Sequence, residues 1–195
     1  MIWHFSSRQD LSVKKLALRV LKAAIFDADI SRELRDDPTA TLQSISLPAI
    51  IGLCYGAGLG LFGFLVAGTS LFDILTVTAI DVLSAIIIAL IWSGTTYLVV
   101  RKLFRGSIGY WELARPFFFS WSPGVLFILM ATPIPTISEI VRAAGTIWIG
   151  IANVFAVKNA ARINTQQSML TFITSVVLII FVGALVLYIV QFLGF

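Results

Sequence analysis

One cysteine and one histidine are all that this 195-residue chain holds of the two residue types most used for metal and nucleophile chemistry. Cys54 lies inside an apolar run, so there is no disulfide framework and no redox compartment to infer. His4 has no partner at ligand spacing, which argues against a zinc site. A lone histidine also argues against most general-base chemistry. No P-loop, HExxH, GxSxG or Cys/His cluster occurs, so no catalytic residue, metal or cofactor is expected. An intramembrane protease would need paired groups at depth in different spans, and Asp73 and Asp81 lie too near one another along one segment.

Charge is the other scarcity. Only 12% of residues are charged, whereas soluble domains carry about 25%. A soluble fold of this size still needs a polar surface, and 58% hydrophobic residues with a mean hydropathy of +0.97 leave little to build one from. The chain therefore reads as all-α and polytopic. The net charge of +4 does not indicate nucleic acid, because the cations lie beside apolar runs, where they set topology and meet anionic head groups. The first 26 residues lack the apolar core and cleavage site of a signal peptide.

About 20 mainly apolar residues cross a hydrocarbon core of about 30 Å. Five segments qualify: Leu47–Thr69 opened by Pro48, Ile74–Val100, Pro116–Thr132 with Pro123 inside it, Ile137–Val157, and Met169–Phe192. The prolines of TPIPT (132–136) predict a tight turn between the third and fourth. Residues 1–46 form a polar N-terminal region and 47–195 the membrane domain. In the first, Leu11–Phe26 has helical periodicity. Val13, Leu16, Ala17, Val20, Ala23 and Ala24 share one arc, and Lys15, Arg19 and Lys22 another. With Lys14, these cations predict a basic amphipathic helix on anionic lipid. Residues 27–46 follow, with Pro38 and the next Thr-Ala-Thr suggesting a capped approach to the membrane.

Cation counts alternate along the chain. The N-terminal region is rich in Lys and Arg. So are the loop after the second segment (Arg101, Lys102, Arg105, Arg115) and the one after the fourth (Lys158, Arg162). The remaining loops and the C-terminal tail have none. The positive-inside rule then predicts a cytoplasmic N-terminus and a C-terminus on the outer side.

Gly52, Gly56 and Gly60 share one helix face, which suits either packing within the bundle or a contact with itself or another membrane protein. Asp81 is an ionisable residue at depth, a functional candidate by default. Glu139 and Arg142 are spaced to pair on one helix face. A polar path joining Asp81, Asn153 and Arg142 would suit a transporter. Trp92, Trp111, Trp121, Trp148, Tyr97, Tyr110 and Tyr188 read as an aromatic belt near the span ends. Phe117–Phe119 read as a lipid anchor at a helix start. Tyr110, Trp111 and Glu112 in the basic loop are candidates for partner docking. These features favour a non-enzymatic membrane organiser or accessory subunit that binds lipid or other membrane proteins. The alternative is a small transporter or channel-like subunit with its path near Asp81 and Glu139/Arg142.

The loop GSIGYWELARPFF (106–118), the Pro-interrupted short spans after it and the polar linker KNAARINTQQS (158–168) before the last span resemble the Yip1-domain family of small five-span membrane proteins. The similarity runs over about residues 26–195. The acidic-aromatic DLYGP-type motif of the eukaryotic members has no counterpart here. For compact members without it, the resemblance implies a membrane scaffold or partner-binding role and no transferable site residue.

Overall fold

A computed structural model describes residues 3–192, with side chains described for 14–184 and Tyr188. His4 and Val13 lie outside the described side chains. Among the described residues the fold is all-helical, with no strand. The helices are α1 (Trp3–Ala24), α2 (Ala28–Asp36), α3 (Thr41–Ala67), α4 (Leu71–Leu103), α5 (Tyr110–Phe119), α6 (Pro135–Ala161) and α7 (Thr165–Phe192). Two 3-10 segments complete it, Pro38–Ala40 before α3 and Ser122–Met130 after α5. Five helical stretches are long and apolar enough to cross a membrane, the third being α5 together with Ser122–Met130.

Local chemistry sets the boundaries. Asp37 caps the 3-10 turn by accepting from the Thr39 N–H at 2.9 Å. The first span therefore begins at Thr41, and Pro48 lies inside α3 rather than opening it. Gly68 ends α3 at a φ of +65°, a left-handed conformation that glycine adopts without cost. Ser70 and Asp73 then form a reciprocal capping box, at 3.2 Å and 2.9 Å, which starts α4 before the expected Ile74. Pro135 opens α6 at the first turn, where its missing N–H costs nothing. The TPIPT turn is thus realised at Ala131–Ile134.

The third span is the middle of the bundle. Of its most apolar window 78% is buried, against 6% for α4. Phe117, Phe118 and Phe119 are completely enclosed, so they are core and not a lipid anchor. The reason is their place on α5, which packs against α2, α3, α4 and α6.

The N-terminal helices form a hairpin on this core. Asp27 caps α2 by accepting from Asp29 N at 2.8 Å and Ile30 N at 3.2 Å. Phe26 makes the turn at a φ of 65° and stacks on Phe155 of α6 with ring centroids 5.3 Å apart. Leu16, Val20 and Ala23 pack onto a small cluster of Ile30, Leu34, Ala40, Leu47 and Phe119. This corrects part of the expected lipid-facing arc: Leu16, Val20 and Ala23 cover the protein's own core, whereas Ala17 is exposed. A different stripe, Leu18, Leu21 and Ile25, is exposed, with Lys14 beside it.

Arg19 is a second correction. It is buried, not a lipid-surface cation. Its guanidinium donates to Glu33 Oε1 at 2.6 Å, to Gln43 Oε1 at 2.8 Å and to Asp37. Lys15 lies 3.9 Å from the same Asp37 carboxylate. Arg115, expected in the basic loop after the second span, lies inside α5 and is buried as well. It donates to the carbonyls of Leu34 and Arg35 at 3.2 Å and 2.7 Å and to Thr41 Oγ1 at 3.1 Å. It thereby satisfies carbonyls that the C-terminus of α2 leaves without a helical partner.

Candidate site: an apolar cavity within the bundle

Asp81, Ser84, Ala85, Ile88 and Trp92 recur along α4 at the spacing that puts them on one helix face. That face forms one wall of a half-open cavity of about 570 Å³, whose other lining residues come from α3, α6, α7 and the third span. From Asp81 to Trp92 the wall runs about 16 Å at 1.5 Å per residue. The remaining lining is almost wholly apolar or aromatic, including Ile51 and Tyr55 of α3, Trp121, Phe127, Ile149 and Phe172.

The cavity has a polar group at each end of this wall. At one end Asp81 Oδ2 is buried without a hydrogen-bond partner. Two glycines make room for this residue. A Cβ on Gly52 would lie 2.7 Å from the Asp81 carbonyl oxygen, and one on Gly56 would lie 3.1 Å from Oδ2. At the other end the indole N–H groups of Trp92 and Trp121 are also buried and unpartnered. These rings meet each other at 6.2 Å, and Trp92 meets Phe117 at 5.8 Å and Phe172 at 5.7 Å. Buried donors and acceptors are nearly always paired, so three orphans lining one cavity call for an explanation. Trp92 and Trp121 are corrected from belt residues to interior ones. They converge because the third span changes helix type at Ser120–Trp121, beside the cavity. Irregular backbone at such depth is tolerated where protein or a cavity surrounds it.

The other residues singled out from sequence lie elsewhere. Gly52, Gly56 and Gly60 are pressed on α4, where added Cβ atoms would fall 2.7, 2.6 and 3.0 Å from Asp81, Thr78 and Ile74. That face is used inside the bundle, which is the first of the two alternatives the spacing offered. Glu139 and Arg142 pair as expected, with Nε to Oε2 at 3.0 Å, but both are exposed and neither lines the cavity. Asn153 is buried and donates to Ser120 Oγ at 3.3 Å. The polar path from Asp81 through Asn153 to Arg142 is therefore not formed.

In the basic loop, Arg101 donates to the Tyr97 hydroxyl and stacks over its ring at 5.7 Å. Tyr110 shares a hydrogen bond of 2.9 Å with Ser93, and Glu112 accepts from Gly109 N at 2.7 Å. Both are occupied within the protein, so the docking trio reduces to Trp111, which is exposed. Lys102, in the last turn of α4, and Arg105, just after it, are exposed, and Arg105 helps line a second hollow of about 550 Å³ with Arg35, Asp36, Glu112 and Arg162. This hollow carries both signs of charge, and Arg35 already grips Asp36 at 2.7 Å. Among the described residues no three His, Cys, Asp or Glu side chains converge as metal ligands do. No family model, curated protein or solved structure matches the chain, so the cavity stands on its geometry alone.

Proposed function

We propose that this protein is a non-enzymatic, multi-pass membrane protein of accessory type that takes an amphipathic molecule of the bilayer into the cavity beside α4. The observation that carries this reading is the cavity itself: a long apolar wall with unpartnered polar atoms at both ends. Pockets for small molecules combine that kind of lining with a few placed polar groups. An amphiphile would cover the apolar wall and offer its polar head to an orphan group.

The test uses single-chain amphiphiles as probes: dodecanol, dodecyltrimethylammonium and dodecyl sulfate. The protein is held in nanodiscs of zwitterionic lipid, released, and weighed by native mass spectrometry. Wild type should retain at least one probe as a one-to-one adduct. Ile88 lines the cavity and is half exposed, so Ile88→Trp fills the space without entering the closed core. That variant should lose the adduct at least tenfold. Equal adducts in both proteins, or none in wild type, would sink the reading.

In this reading the N-terminal hairpin and the cationic loops face the cytoplasm and the C-terminus the outer side. Lys14, Lys15 and Lys22 then meet anionic head groups while Leu18, Leu21 and Ile25 enter the interface. Single cysteines check this in a Cys54→Ser background. A membrane-impermeant maleimide applied to intact cells should label Thr69→Cys and leave Ser107→Cys untouched. The reverse labelling would invert the orientation.

A further inference from the structure

We infer that the occupant of the cavity is a lipophilic organic cation, seated with its positive group at Asp81 and its chain along α4 toward Trp92. This rests on the reading that the cavity takes an amphiphile, and adds the sign of its charge.

Three observations point the same way. First, the carboxyl of Asp81 reaches the cavity with one oxygen buried and unpartnered, and no lysine or arginine is among the lining residues. Arg142 is paired with Glu139 on its own helix and is not among the lining residues, although it also interacts with Tyr55, which is. Charge complementarity is therefore missing from the protein and has to come from the ligand. Second, the lining is rich in aromatic rings: Tyr55, Trp92, Trp121, Phe127 and Phe172. Aromatic faces attract cations through the ring quadrupole, most strongly where water is excluded, and a diffuse organic cation is the least costly to desolvate there. Third, an anionic head group would meet the Asp81 carboxyl with no countercharge, so the site selects against the commonest single-chain anions.

A neutral alcohol is the close competitor, because it too can hydrogen-bond to Asp81. The twelve-carbon series separates the two. Dodecyltrimethylammonium should bind at least tenfold more tightly than dodecanol, and dodecyl sulfate should be weakest. The head group of this probe has no N–H, so a preference for it reads charge and π contact rather than hydrogen bonding. Asp81→Asn keeps the shape of the side chain and removes its charge. It should erase the preference, bringing dodecyltrimethylammonium down to the level of dodecanol. Equal retention of all three probes by wild type would overturn the inference and leave the amphiphile reading standing. A cation preference that persists in Asp81→Asn would overturn it too. Retention of no probe would overturn both. Should Asp81→Asn fail to fold, the wild-type order decides alone: dodecanol bound as tightly as the ammonium ends the proposal.

Discussion

Gly56→Leu should leave little monodisperse protein in mild detergent. A Cβ at this position would lie 2.6 Å from the Thr78 Cα and 3.1 Å from both Cβ and Oδ2 of Asp81. The first of these is backbone and cannot rotate away. The whole of α3 would have to move off α4, and this pair makes the largest helix–helix contact in the fold. Overpacking a tight core by a few methylenes costs about 1–3 kcal/mol, and a rigid backbone neighbour puts leucine at or above the top of that range. Gly94→Leu is the control, because an added Cβ there meets nothing within 4 Å. Size-exclusion profiles and thermal melts of the two variants should differ sharply. If Gly56→Leu elutes and melts like Gly94→Leu, the packing described for α3 and α4 is wrong.

Arg19→Ala should be the next most damaging change. Its side chain is 3% exposed and joins α1 to Glu33 of α2, Asp37 and Gln43 of α3. Removing one partner from a buried ion pair costs about 3–5 kcal/mol. The low end, about 3 kcal/mol, applies here because the Glu33 side chain is 46% exposed and can return to water. Lys14→Ala, one turn away and exposed, should change stability by less than about 0.5 kcal/mol. Identical melting temperatures for the two variants would remove the network from the account.

The same network has an acid limit. Hydrogen bonds from Thr39, followed by the Arg19 guanidinium, hold the Asp37 carboxyl down at about 2. A depressed carboxyl stabilises the folded state fully above its unfolded value, about 3.8, and loses that contribution as pH falls through about 2. The wild-type melting temperature should therefore decline between about pH 4 and about pH 2 by more than that of Asp37→Asn.

The five spans were legible because length and apolarity alone define them, and the bundle keeps all five. The cavity was not legible. The apolar character of α4 runs all round the helix, so the stripe from Asp81 to Trp92 does not stand out by periodicity. Trp121 meets Trp92 at the point where the third span changes helix type, and a proline in a short segment does not say which way an indole will turn. Arg19 was misplaced for a different reason. A charge count weighs every cation alike, whereas burial depends on α2 and the Asp37 cap, which carry the matching acids. The α2 helix had a signal that went unused: Asp27 in the capping position, with Ile30 and Leu34 one turn apart on a buried face.

The 3-10 segment Ser122–Met130 changes how far the chain extends for each residue it spends. Nine residues at about 2 Å each cover about 18 Å, where an α-helix would cover about 14 Å. With three residues per turn the backbone is also drawn into a slimmer rod. The 21-residue third span can therefore cross alongside 27- and 33-residue neighbours. Its slimness is matched by glycines on either flank: Cβ atoms added at Gly58 and Gly145 would collide with Phe127. The narrowest stretch of the third span thus stands where α3 and α6 come closest to it.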